Sequence, residues 1–417
     1  MKKSLFAIAA VTAFAGAAQA QSSVTVYGIL DVGYIGGNSR VSSSATKTNG
    51  GQTKTTVNQF GNSAESTSRL GFKGNEDLGG GMSAFFTAEF ELNPQDQNLS
   101  GNSRGGMQNR QSFVGLQKTG LGKAAVGTQY TPVFNAGAAT SPTGYNNMIG
   151  DLIYAGSSQV TTKGFDNGGA TSAGFTNRTS NTLTVASDKF AGFGVNAMYT
   201  LANQNASATA NTSGNVTAGG NTNANGWGLG ADYTYNKFYV TAAYQALKQI
   251  TSNSNWGTPS FTSSVPWTTA QPSAGSMAQK DATLSALNVQ DNQFLAGASY
   301  DFGILKAYAQ YVSRKATSTQ SSNYYIKRSA EQIGVRSFIT PKVEAWAAAS
   351  LGRYTAFGNN QPTANMNAWQ LGSNYYLSKR TNLYAIYGQQ LISNSAAATT
   401  TTSAGASNYA IGVRHTF

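Results

Sequence analysis

The feature that most constrains this chain is an apolar/polar alternation of period two that recurs along its length. In the first segment Val24, Val26, Leu30, Val32 and Tyr34 share one parity, while Thr25, Tyr27, Asp31 and Gly33 share the other. Phe86, Ala88, Phe90 and Leu92 stand in the same way against Thr87, Glu89 and Glu91, and Trp227, Leu229, Ala231, Tyr233 and Tyr235 against Gly228, Gly230, Asp232, Thr234 and Asn236. Successive strand residues point to opposite faces, so each segment reads as a strand greasy on one side. Beyond the first twenty residues no apolar run approaches the roughly 18 residues that a spanning helix needs. Any passage through a membrane must be made by strands.

Sixteen such runs begin near Val24, Ser68, Met82, Asn109, Lys123, Thr179, Gly194, Gly226, Phe238, Asn292, Leu305, Ser329, Lys342, Ala368, Thr381 and Asn408. Most are about 10 to 12 residues long, enough to cross an apolar band about 25 Å tall at a tilt near 45°. Tight turns at 77–81, 118–122, 236–237, 301–303, 340–342 and 378–380 alternate with long segments at 36–65, 93–108, 131–178, 202–225, 249–291, 316–328, 355–367 and 393–407. The expected fold is all-β: a closed 16-stranded antiparallel transmembrane barrel with short periplasmic turns and long external loops. Closure is required because an open sheet edge in hydrocarbon leaves backbone groups unpaired. A soluble sandwich or propeller also alternates, but it would carry a charged outer face. Here charged residues make up 11 % of the chain, against roughly 25 % in soluble domains, and the apolar rows end in Tyr, Trp and Phe as interfacial girdles do.

Residues 1–20 have their own reading. Lys2 and Lys3 precede an apolar run from Leu5 to Ala18 that closes on Ala18-Gln19-Ala20, the pattern of a secretory signal peptide, which leaves 21–417 as the barrel. The chain has no cysteine and one histidine, His415, so thiol chemistry, Cys-ligated metals and a Ser-His-Asp triad lose their parts. A carboxylate pair at Glu89 and Glu91 is the only formal route to hydrolysis, and no enzyme activity, cofactor or metal is expected. The net charge of +12 is spread thinly, and export argues against a nucleic-acid partner. Outer-membrane lipid, lipopolysaccharide, ions and small hydrophilic solutes are the expected partners.

A barrel of about 16 strands leaves an aqueous channel, so the polar rows supply the functional candidates. Alternation sends Leu70 and Phe72 to lipid and Arg69 and Lys73 to the lumen. Glu89 and Glu91 share a polar row across the next turn, Arg110 opens the following strand, and Asp31 lies on the polar row of the first. The longest loop, 131–178, carries Val133, Phe134, Tyr145, Met148, Ile149, Leu152, Ile153 and Tyr154 in its first half. That content implies that it folds inward and constricts the lumen, with Asp151 as its charge. Tyr27, Tyr239, Tyr308 and Tyr384 on polar parities leave open an alternative, a solute-specific channel of the same fold. The runs near Asn109, Asn292 and Lys342 mix parities, and the weak parity near Asn109 and Lys123 suits a wall packed on protein.

Val24-Thr25-Val26-Tyr27-Gly28-Ile29-Leu30-Asp31, the run Ser68-Arg69-Leu70-Gly71-Phe72-Lys73-Gly74-Asn75-Glu76-Asp77-Leu78-Gly79-Gly80-Gly81, Asn109-Arg110-Gln111-Ser112-Phe113-Val114-Gly115-Leu116 and the closing Gly412-Val413-Arg414-His415-Thr416-Phe417 resemble the general porins of β- and related proteobacteria. The resemblance implies a homotrimer in a Gram-negative outer membrane and passive diffusion through an eyelet where the third loop faces a basic cluster. Arg69 and Arg110 match that family's lumen arginines. Gly127-Thr128-Gln129-Tyr130 departs from it, since many relatives carry an arginine where Thr128 stands. The basic surplus adds an expectation of anion preference.

Overall fold

The computed structural model describes residues 23–43, 52–96, 99–100, 107–154, 174–206, 209–210, 216–217, 220–253, 289–319, 325–357, 363–394 and 402–417. The segment 1–20, read as a signal peptide, lies outside the described residues, as does 254–288 of the loop expected at 249–291.

Among the described residues, seventeen strands form one antiparallel sheet that closes on itself. The first, β1 (Ser23–Ser43), pairs along one edge with the last, β19 (Thr402–Thr416), from Ile29↔Thr416 to Ser43↔Thr402. The chain end is tied in as well: the Gly28 and Phe417 amides donate to each other's carbonyls at 3.1 and 3.2 Å. On its other edge β1 meets two strands in succession, β2 (Gln52–Asn62) beside Val32–Ser42 and β3 (Arg69–Gly79) beside Ser23–Ile29. These two are halves of one stave, interrupted where 63–68 turn inward, so the barrel has sixteen staves. The others follow in chain order: β4 (Met82–Glu91), β5 (Asn109–Lys118), β6 (Gly122–Tyr130), β7 (Arg178–Ser187) and β8 (Phe193–Ala206). A two-stranded ribbon, β9 (Thr209–Ala210) and β10 (Val216–Thr217), stands apart from the sheet. The wall resumes with β11 (Gly220–Tyr235), β12 (Phe238–Asn253), β13 (Val289–Asp301), β14 (Lys306–Ser318), β15 (Tyr325–Thr340), β16 (Val343–Phe357), β17 (Ala364–Tyr376) and β18 (Thr381–Asn394).

All sixteen expected staves are present, and their tight-turn ends fall within a residue or two of expectation. Their loop-side ends run further. Strand β1 continues to Ser43, β2 lies inside the segment expected to be a loop at 36–65, β11 begins at Gly220, and β19 at Thr402. The reason is physical. Beyond the apolar band both strand faces meet water, so Gly, Asn, Ser and Thr occupy both parities and the period-two signal vanishes while the backbone pairing continues. At the other rim the turns are tight. Gly79, Gly80 and Gly81 have φ of 82°, 58° and 75°, a left-handed run that favours glycine, and Asn236 takes φ 51° in the two-residue β11–β12 hairpin.

The alternation sorts wall from lumen. In β17, Ala364, Met366, Ala368, Gln370 and Asn374 are buried inward while Trp369, Leu371 and Tyr375 are exposed outward. Two aromatic belts bound the outer band: Trp227, Trp369, Tyr387 and Tyr409 towards the loop rim, and Tyr235, Tyr300, Phe338 and Tyr375 towards the turn rim. From Trp369 to Tyr375 is six positions, roughly 20 Å of strand. Such rings suit the membrane–water interface, apolar in body and polar at one end.

Because Leu371 lies between these belts, Leu371→Arg should destabilise the folded barrel in vesicles by about 2–4 kcal/mol, whereas Asn365→Lys, beyond the belt, should cost at most about 1 kcal/mol. Urea titration of reversibly folded protein measures both. Equal effects at the two sites would show that the band is misplaced.

Candidate pore constriction

The third loop begins where β6 ends. Thr131 caps a short helix, α1 (Pro132–Ala139), its Oγ1 accepting from the Phe134 amide at 3.2 Å with Pro132 in the first turn. The helix packs against the inner faces of β11, β12 and β13. Beyond it the chain follows the wall: Gln310 on β14 donates to the Gly137 carbonyl and to Thr140, and Pro142 lies against Gly334 on β15. Asn146 and Gln370 on β17 bond reciprocally, amide to carbonyl, at 2.6 and 3.0 Å. Gly388 on β18 leaves room for the Ile149 carbonyl, where any Cβ would collide. Asn147 then reaches the Ser63 carbonyl at the β2–β3 crossing.

Val133, Tyr145, Leu152, Ile153, Tyr154 and Phe175 from this loop form a core with Leu295, Val312, Tyr354, Met366 and Ile392 of the wall. The inward folding expected from the loop's apolar content is what the described part, 131–154 and 174–177, does. It also explains the mixed parity near Asn292: Leu295 faces inward and is apolar because loop, not water, covers it.

Asp151, expected as the loop's charge facing the channel, has another position. It is buried at 3 % exposure, accepts from Thr143 Oγ1 at 2.5 Å and from the Ile153 and Tyr154 amides at 2.8 and 3.0 Å, and so ties the loop to itself. Burial pushes its carboxyl above the usual carboxylate range, against the pull of those hydrogen bonds. Burial likewise pushes the Tyr154 phenol up to about 12, with the guanidiniums of Arg110, Arg178 and Arg69 acting in the opposite sense. Its ring stacks on Tyr145 at 4.5 Å and lies 6.4 Å from that of Phe134.

That wall spans β3 to β7. Arg69 and Glu91 are cross-strand partners on β3 and β4. Glu89 accepts from Arg110 Nε at 2.8 Å and from the Tyr27 hydroxyl at 3.1 Å, and lies 3.8 Å from Arg69. Arg110 also approaches Glu91 at 3.6 Å and donates to the Tyr130 hydroxyl at 2.9 Å. Arg178 stands 5.8 Å over the Tyr130 ring, which stacks at 4.0 Å on Phe134 of the helix.

Arg110 reaches this cluster through a local irregularity. Glu89 pairs with Gln111 and Phe90 with Asn109, so Arg110 is an extra residue in β5. Strict alternation would send it outward with Ser112 and Val114, and the bulge turns it to the lumen. A second register shift between Gly127 and Gln129 breaks the alternation of β6. Bulges thus break the alternation at the loop-side ends of both strands.

Of the other expected residues, Lys73 is exposed, its Nζ 5.4 Å from the Tyr27 ring on the turn side of the cluster. Asp31 belongs to a different group: it accepts from the Glu65 and Ser66 amides and from the Tyr384 hydroxyl at 2.6 Å, fixing the β2–β3 crossing. Glu65, Glu344, Arg336 and Arg414 lie nearby, with Asn374 donating to both carboxylates. Thr128 pairs with outward Ser112 and takes a 3.4 Å hydrogen bond from Asn109, so the third guanidinium of the wall is Arg178. Sequence reading missed Arg178 because it stands where loop becomes strand, outside any periodic run. It missed Glu65, Glu344, Arg336 and Arg414 as a group because only the three-dimensional path joins them.

A sealed barrel, apolar outside and charged inside, with a loop narrowing its interior, is a membrane pore. A model of the Gram-negative porin family matches residues 7–397, and the chain belongs to that family. It is 27 % identical to an outer membrane porin protein of Bordetella pertussis over 100 % of both chains. To outer membrane porin protein 32 of Delftia acidovorans it is 46 % identical over 107 residues, 24 % of this chain and 25 % of that one. An anion-selective porin from Comamonas acidovorans has the same fold, with TM-score 0.61 and 21 % identity, covering 95 % of this chain and 100 % of that one. The protein is an outer-membrane diffusion channel of a Gram-negative bacterium.

Gln370→Ala removes the acceptor and donors that hold Asn146 and the Ile149 carbonyl, leaving buried polar groups unpaired at about 1–3 kcal/mol each. Single-channel records should show larger current fluctuations, and a higher mean conductance, than the wild type. Currents indistinguishable from wild type would mean that the loop is held without this pair.

Proposed function

We propose that this channel is a general diffusion pore with anion preference, narrowest between the third loop and the β3–β7 wall. Arg69, Arg110 and Arg178 supply the attracting charge, Glu89 and Glu91 hold it in place, and Lys73 extends it towards the periplasmic rim. The observation that carries this reading is the surplus of three guanidiniums over two carboxylates on the wall whose Tyr130 stacks on Phe134 of the loop. Ions and small hydrophilic solutes cross without a covalent step, so the chain acts as a channel and not as an enzyme. Asp31 and Asp151 serve the frame of the constriction. In this reading residues 1–20 direct export and are removed.

The proposed assembly is a homotrimer surrounded by outer-membrane lipid and lipopolysaccharide. The trimer form of Vibrio cholerae OmpT, which shares the fold at TM-score 0.57 with 13 % identity, supports that choice. The solute-specific alternative draws less support. The hydroxyls of Tyr27 and Tyr384 are committed to Glu89 and Asp31, which suits wall structure better than a binding track.

Reversal potentials across a salt gradient in planar bilayers should have the sign of an anion-preferring pore. Arg69→Ala with Arg110→Ala should lower the anion-to-cation permeability ratio by up to about sixteenfold per charge removed, because a unit charge about 5 Å away in water favours an anion about fourfold and disfavours a cation about fourfold. A cation preference in the wild type would overturn the assignment. Saturable block by a single solute would favour the specific channel instead.

A further inference from the structure

Far round the barrel from the β3–β7 wall, two arginines face each other on the inner surface. Arg314 on β14 and Arg328 on β15 are direct cross-strand partners, and Val312, Ala316 and Ala330 continue their inward rows. Opposite side chains of an antiparallel ladder stand about 5 Å apart at Cβ, where like charges repel. Arg314 is 4 % exposed and Arg328 2 %, so water screens neither.

Arg314 has its counter-charge. Asp291 on β13 accepts from Arg314 Nε at 3.1 Å on each oxygen and from Nη2 at 2.7 Å, and takes a further bond from Gln293 at 2.9 Å. Arg328, among the described residues, meets no carboxylate. Its Nη2 donates to the Leu152 carbonyl of the third loop, and its guanidinium lies 5.7 Å over the Tyr354 ring. Its Nε and Nη1 are buried without a hydrogen-bond partner. Asp151, next to Leu152 in the loop, is committed to Thr143 and to the amides of Ile153 and Tyr154. One positive charge is thus uncompensated and two donors are unmet, among the costliest arrangements that a folded chain can hold unless a water or an ion completes it. A water would accept one of these hydrogens and leave the charge. An anion answers both.

We propose that a single small monovalent anion, of halide size, resides at Arg328 beside Arg314, beneath the third loop. Its one charge cancels the one that Arg328 leaves over, whereas sulfate would reverse the sign and needs more room than two buried guanidiniums leave. The ion belongs to the frame and not to the current: it ties the loop at Leu152 to β14 and β15, whichever ions the pore prefers. Crystals of the wild-type protein grown in sodium bromide, measured at the bromine absorption edge, should show an anomalous peak against the Arg328 guanidinium. In solution the thermal unfolding of the detergent-solubilised protein would be followed in sodium chloride and in sodium gluconate at equal ionic strength, with Arg328→Met as the reference for general salt effects. An ion that binds only the folded state raises its stability with concentration, so the wild type should unfold at a higher temperature in chloride, with a saturable dependence. Arg328→Met should lose that dependence and, in gluconate, should unfold no lower than the wild type, because it removes a buried charge that gluconate leaves unpaired. An arginine with a merely structural role would instead weaken the protein equally in both salts when replaced. No bromide peak at Arg328, or a chloride dependence that persists in Arg328→Met, would overturn the proposal. So would a bromide peak with no chloride dependence in solution, which would be binding at crystal concentration only.

Discussion

Every other feature of this protein depends on the seam between β1 and β19. In hydrocarbon an unpaired backbone amide or carbonyl costs several kcal/mol, and a sheet of this width would otherwise carry two such edges. Pairing runs without a register shift from Thr416 to Thr402 along β1, and the Gly28–Phe417 amide exchange extends it to the last residue. The seam makes outside and inside distinct over the whole sheet, so one parity can be apolar and the other polar in every stave. It also makes the wall stiff enough to carry a charged interior at fixed separations.

The interior is filled unevenly. The third loop packs as protein core against the staves from β8 round to β18, so their inward rows carry Leu295, Val312, Ala330 and Met366 as well as amides. The β3–β7 wall instead presents guanidiniums and carboxylates. This asymmetry explains why the inner rows read as polar in some strands and mixed in others. A lumen residue is selected by what it meets, and most of the lumen meets a loop.

The sequence is legible where a single physical demand acts on every second residue. Lipid imposes that demand, so the staves, their number, their turn-side ends and the inward-facing Arg69, Glu89 and Glu91 follow from parity alone. Legibility fails where the demand stops. The extension of β1 to Ser43 and the existence of β2 lie beyond the lipid band, where backbone hydrogen bonds hold strands whose side chains carry no period. Arg110 shares the outward parity of Ser112 and Val114, and only the bulge opposite Glu89 turns it inward. Asp151 has the right segment and another neighbourhood, since no local pattern distinguishes a carboxylate that faces water from one that caps the amides of Ile153 and Tyr154.

The charge surplus and the loop form one device. At physiological ionic strength a fixed charge is screened over about 8 Å, so a guanidinium on the wall of an open sixteen-stave barrel would leave most of the cross-section neutral. The loop seats Phe134 on Tyr130, whose hydroxyl accepts from Arg110 and whose ring lies under Arg178, and in the proposed reading this leaves ions to pass beside that wall. The carboxylates matter for the opposite reason. Glu89 and Glu91 fix the guanidinium positions by direct contact, yet they number one fewer, so the wall keeps a net positive field while its side chains remain ordered. In the proposed reading, selectivity depends on the packing of an apolar loop as much as on the arginines of the wall, and the wall contacts of Asn146 and Ile149 belong to the same mechanism.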